Sequence, residues 1–210
     1  MKLYLSSYRI PVPEALAQLV GKPLGEIKVA LIPNAKDYYI RRAKDFTTNE
    51  IVVYLEELGF KVTVVDLQDY SDSKKLKDVL SDYDLIWARG GNTYMLRYQM
   101  RRSGFEHIIG ELLEQGIVYG GDSAGALVAG VSIAGVEAAD EPSFAEAVIG
   151  EGLDLVPYAI LPHIDNPQFA AVVPIFHEVQ ADENVIALKD SQAVVFDGNK
   201  HAIVNGKGIA

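Results

Sequence analysis

Short β-rich runs alternate with stretches of helical period along this 210-residue chain, and that alternation restricts the fold to a doubly wound α/β sheet whose strands are mostly parallel. Residues 3–5 read as an opening strand and 13–20 as a short helix stopped near Gly21. Residues 28–33 and 61–65 are further strands, separated by a helical stretch over 39–58 that ends at Gly59. A short helix over 76–80, a strand over 84–88 and one or two helices over 94–113, divided near Ser103 and Gly104, lead to a strand at 117–119. The pattern loosens over 131–158. Residues 159–161 then read as a strand, 169–179 as a helix despite Pro174, and 185–188, 193–196 and 202–204 as the strands of an antiparallel edge. With 49% hydrophobic and 23% charged residues and no linker or repeat, the expectation is one domain over residues 1–210.

In an open α/β sheet, ligands bind beyond the carboxyl ends of the parallel strands. Gly121-Asp122-Ser123-Ala124-Gly125 lies at such a place, after the apolar run Ile117-Val118-Tyr119 and before the helix-forming run Ala126-Leu127-Val128-Ala129. Glycines two positions to either side let the backbone turn sharply and let strand and helix approach, so Ser123 projects from the turn as a nucleophile does. A helix beginning there aims free N–H groups and the positive end of its dipole at the same spot, which favours an anionic tetrahedral intermediate. The plainer alternative is a glycine-rich turn with Ser123 as helix cap.

Arg89-Gly90-Gly91-Asn92-Thr93 occupies the equivalent place after the strand at 84–88. Two successive glycines expose backbone N–H groups, so the amides of Gly91 and Ala124 make a candidate two-donor oxyanion pocket. The alternative is a tight turn with Asn92 or Thr93 as cap. A serine hydroxyl needs a general base, and histidine suits neutral pH. Of the four histidines, His107 and His177 fall in helical runs and His201 in a hairpin turn, whereas His163 follows a strand across Pro162. Asp190, just after the strand at 185–188, is placed to orient an imidazole or to serve as an ordinary turn aspartate.

In this order, Gly90-Gly91-Asn92, Ser123-Ala124-Gly125-Ala126, Pro162-His163 and the late acid Asp190 resemble the peptidase E group of serine peptidases, which includes aspartyl dipeptidase and, more distantly, cyanophycinase. The resemblance covers nearly the whole chain. It implies a class I glutamine amidotransferase-like (flavodoxin-like) three-layer sandwich with serine in place of those enzymes' cysteine. It also implies that Ser123, His163 and Asp190 are catalytic, that Gly91 and Ala124 form the oxyanion hole, and that a small peptide is the substrate. No metal or organic cofactor is implied. Asn92, Asp122 and Arg89 are the candidate substrate-binding residues. Two departures stand out. The dipeptidases carry glutamate in a Leu-Pro-Glu-Gly context where this chain has Leu188-Lys189-Asp190-Ser191, and they carry an arginine on the helix after the histidine that the stretch 169–177 lacks. Arg89 could replace that cation or be a surface ion-pair partner, and Asp122 could meet a substrate amine or cap the turn.

The absence of cysteine excludes disulfides, thiolate zinc sites and a cysteine nucleophile. A net charge of −10 and a pI near 4.8 oppose attraction to phosphate backbones, so nucleic acid is not an expected partner. The opening apolar run is too short for a signal peptide and no stretch has the length of a membrane span, giving the expectation of a cytoplasmic protein without a membrane partner. Oligomeric state is left open. Two rivals are kept: an α/β-hydrolase-type esterase, which keeps the serine but changes the class and uses Asp154 with His201, and a non-catalytic binding protein on the same scaffold.

Overall fold

Strands buried on both faces decide the architecture, because each must be covered by a helical layer above and below. The computed structural model describes residues 1–181 and 183–206. Its elements run β1 (Lys2–Ser6), α1 (Pro13–Val20), β2 (Lys28–Ile32), α2 (Arg41–Glu57), β3 (Lys61–Val64), α3 (Ser73–Leu80), β4 (Leu85–Ala88), α4 (Thr93–Arg102), α5 (Phe105–Glu114) and β5 (Val118–Asp122). They continue with α6 (Ala124–Leu127), β6 (Ala159–Leu161), α7 (Val172–Val179), β7 (Val185–Ala187), β8 (Gln192–Asp197) and β9 (Lys200–Asn205). The main sheet has the order β3-β2-β4-β5-β1-β8-β9, parallel from β3 to β1 and antiparallel at β8 and β9. On β4, Leu85 and Trp87 pack with Leu16 and Leu19 of α1 and Leu55 of α2, while Ile86 and Ala88 join the layer built by α3 to α7. The result is three layers. Among the described residues, no helix is long and apolar enough to cross a membrane.

Helix ends follow local chemistry. Gly21 stops α1 in a left-handed conformation at φ 83°, and Gly104, at φ 74°, separates α4 from α5. Helix α2 begins at Arg41 because Ile40 is still extended. Pro174 is tolerated because α7 starts only at Val172, which leaves the proline in a first turn whose N–H groups have no intrahelical partner.

One expectation is corrected. The strand Val185–Ala187 is not part of the antiparallel edge; it pairs in parallel with Ala159–Leu161 to form a separate two-stranded sheet, in register Ala159 with Val185 and Leu161 with Ala187. A parallel pair needs a crossover of a dozen or more residues, and the segment containing α7 supplies it. The edge itself is β8 and β9.

Candidate active site

The turn after β5 is shaped by close approach. A Cβ on Gly125 would stand 1.9 Å from the Ala88 carbonyl oxygen, so only glycine lets the helix begin against the end of β4. Ser123 is left in a strained conformation at φ 51°, ψ −114°, and its amide is fixed by the carbonyls of Ser6 and Ser7, each at 3.1 Å. Its hydroxyl caps no helix; it lies 2.9 Å from Nε2 of His163. The helix that follows is a single turn, so its dipole is small and any anion stabilisation must come from individual N–H groups. Among the described residues, the Gly91 and Ala124 amides donate to no protein acceptor. Gly90 keeps this loop thin beside the serine, since a Cβ there would stand 2.9 Å from the Ser123 Cβ, and Gly91, at φ 152°, has the Ala35 carbonyl oxygen 2.5 Å from where a Cβ would be.

The small sheet supplies the other wall. Its ladder continues past the strands through Leu188 N–H to the Leu161 carbonyl (2.8 Å) and Ile164 N–H to the Leu188 carbonyl (3.2 Å), which sets His163 beside Asp190. Nδ1 of His163 is 2.5 Å from Oδ1 of Asp190. His163 is buried, holds φ at 63°, and stacks on Phe169 with ring centroids 4.3 Å apart. Asp190 is held at several points: Asn166 Nδ2 donates to Oδ2 at 2.9 Å, the Ser7 hydroxyl donates to Oδ1 at 2.9 Å, and its own amide donates to Asp165. Burial alone would raise this carboxyl, but the bonds from His163 and Asn166, the charge of His163 and the Ser7 hydroxyl hold it below the ordinary carboxylate range. The order hydroxyl, imidazole, carboxylate can move a proton from Ser123 to His163 while Asp190 keeps the ring in one tautomer.

A cavity of about 440 Å³ opens over Ser123 and His163. Arg89, Asp122, Glu50 and Asp140 are among its charged lining residues, and Leu127, Val136 and Leu161 among its apolar ones. Asp122 caps nothing; it accepts from Trp87 Nε1 at 3.0 Å and from the Gly90 amide, and burial raises its carboxyl despite the opposing charge of Arg89. Arg89 is not a surface ion-pair partner: it is only 8% exposed, and among the described residues its Nε and Nη1 have no hydrogen-bond partner. Burial lowers its pKa while Asp122 and Glu50 oppose the shift. Asn92 does not meet the cavity as expected. Both ends of its amide are occupied, Oδ1 by the Met95 amide at 2.8 Å and Nδ2 by the Glu141 carbonyl at 3.0 Å, because it caps α4. His201 meets Tyr158 edge-on and Phe196 at a tilt and lines no part of this cavity, which removes it as a partner for Ser123. Sequence reasoning missed Ser7, Asn166 and Phe169. Ser7 was within reach of the strand-end rule applied to β4 and β5, since it directly follows β1.

The family model for peptidase family S51 matches residues 5–204. The chain belongs to peptidase family S51. It is a serine-type peptidase. An uncharacterized peptidase of Listeria innocua is 30% identical over 171 residues, covering 80% of this chain and 78% of the relative. The peptidase E of Haemophilus influenzae is 28% identical over 202 residues, covering 92% and 82%. A Listeria monocytogenes crystal structure reported under the peptidase E name superposes with a TM-score of 0.80 at 23% identity, covering 98% of both chains, and a peptidase from an acI-B1 Actinobacterium gives 0.73 at 18%, covering 97% and 87%. These two likenesses show the mixed α/β fold.

Proposed function

We propose that this S51 peptidase cleaves small peptides through an acyl-enzyme on Ser123. The observation that carries the reading is the relay in which His163 spans the 2.9 Å to the Ser123 hydroxyl and the 2.5 Å to Asp190. His163 takes the Ser123 proton as the hydroxyl attacks the scissile carbonyl, the amides of Gly91 and Ala124 donate to the oxyanion, and His163 then protonates the departing amine. Water enters by the same route in reverse and releases the acid. Ser123→Ala is expected to lower kcat by on the order of 10⁴-fold or more while the unfolding transition is kept. Full turnover of a cleaved dipeptide by that variant would refute the assignment.

The substrate preference follows from Arg89. The Arg89 guanidinium is buried near Asp122 and Glu50, yet among the described residues its Nε and Nη1 have no hydrogen-bond partner, so these donors are left for a ligand, and a carboxylate matches their fork. Peptides with an acidic first residue are therefore the proposed substrates, with Arg89 in the place of the arginine that α7 lacks. In a panel of dipeptides with acidic, neutral or basic first residues, kcat/KM should be highest for the acidic ones and Arg89→Leu should erase that advantage. A panel without such an advantage would overturn the preference.

A further inference from the structure

Ser7 touches every part of the relay and has no place in the mechanism above. It is fully buried, one residue beyond β1, on the strand that lies between β5 and β8 in the sheet. Its hydroxyl has a single proton. With Asp190 Oδ1 at 2.9 Å as the acceptor of that proton, the oxygen is free to accept from the backbone N–H of His163, which stands 2.7 Å away. The same oxygen lies 3.4 Å from His163 Nδ1, and the Ser7 carbonyl accepts from the Ser123 amide at 3.1 Å. One residue thus bonds the main chain of the nucleophile, the main chain of the base and the carboxylate of the acid.

We infer that Ser7 is a positioning residue that sets His163 and Asp190 in register with Ser123; this rests on the proposed role of Ser123. Two features call for such a brace. His163 holds a left-handed backbone that a side-chain-bearing residue adopts only under constraint, and the Ser7 hydroxyl is the acceptor that satisfies its buried N–H in that conformation. Asp190 is an aspartate, one methylene shorter than glutamate, so the carboxylate reaches the imidazole only if it is drawn to a fixed point. The Ser7 and Asn166 bonds, one to each oxygen, supply that point. Because both ends of the brace are buried or half-buried, water cannot readily replace it.

The test is the rate at which a fluorophosphonate labels Ser123, together with kcat and KM for a cleaved dipeptide, in the unmodified protein and in Ser7→Ala. Loss of a bond to a charged group predicts a fall of about ten- to hundredfold in labelling rate and in kcat, with KM within about threefold of its original value. Ser7→Cys, which fills the same space with a poor donor, should behave alike and carries the test if the alanine variant does not fold. Labelling and kcat unchanged in the variants, or a loss confined to KM, would overturn the inference. An unmodified protein that neither labels at Ser123 nor hydrolyses any dipeptide would instead sink the nucleophile assignment, so the two failures are distinguishable.

Discussion

Around Ser123 the backbone is held by contacts too close for any side chain, with Gly125 against the Ala88 carbonyl and Gly91 against the Ala35 carbonyl, whereas around His163 it is held by side-chain hydrogen bonds from Ser7 and between Asn166 and Asp190. The first region is a steric device and the second a polar one. Steric devices fail by unfolding or displacement, because an added methyl has nowhere to go. Polar devices fail by losing function at nearly constant packing, because a same-shape substitution leaves the volume filled and removes only a donor, an acceptor or a charge. The two regions meet where the Ser123 hydroxyl faces His163 and where the Ser7 carbonyl accepts from the Ser123 amide.

The contrast is broken most severely on the polar side. Asp190→Asn should reduce kcat by on the order of 10⁴-fold, because the amide favours the wrong imidazole tautomer, while circular dichroism stays that of the unmodified protein and unfolding stays cooperative. A variant that lost its fold along with its activity would show that the wall is steric after all. Gly125→Ala tests the other side. With a Cβ 1.9 Å from a carbonyl oxygen, it should destabilise the protein by upwards of about 3 kcal/mol, read as a lowered denaturation midpoint. Normal stability in that variant would remove the close approach as the reason for the glycine.

The smallest effect concerns pH and sharpens the comparison further. Asp190 has its folded pKa lowered, so its contribution to stability is present above the unfolded carboxylate value and is lost as pH falls through the lower folded one. Urea denaturation of the unmodified protein and of Asp190→Asn should therefore show a stability difference that shrinks below about pH 4, the unfolded aspartate value. A difference that stayed constant between neutral pH and pH 2 would mean that Asp190 draws nothing from its partners. Gly125→Ala, whose titratable neighbour Tyr119 keeps its proton throughout that range, should lose the same amount of stability across it.

The steric region is the more legible one in the sequence. Glycines at fixed offsets from Ser123, a glycine pair after the strand at 84–88, and apolar runs that mark the strand ends are all local signals, and each reports a local requirement of the backbone. The parallel β3-β2-β4-β5-β1 core follows from the same kind of signal, because a strand buried on both faces must be apolar along its length. His163 and Asp190 were visible as strand-end residues and, through the family resemblance, as partners of Ser123, whereas the Ser7 and Asn166 bonds that hold them were not. Asn92 misled because a cap and a ligand contact require the same residue type, and nothing in Gly91-Asn92-Thr93 says which way the amide faces.

What the chain's sequence determined by itself was the alternation that sets the layers, the sharp turn that presents a hydroxyl, and the residue types fit for a serine peptidase. The pairing of β6 with β7, the meeting of Ser7 with residues 156 and 183 positions away, and the burial of Arg89 beside the cleft were decided only in three dimensions. The physical reason is range. A turn or a strand is fixed by neighbours within a few residues, but a hydrogen bond between distant segments depends on the closure of the whole sheet around it.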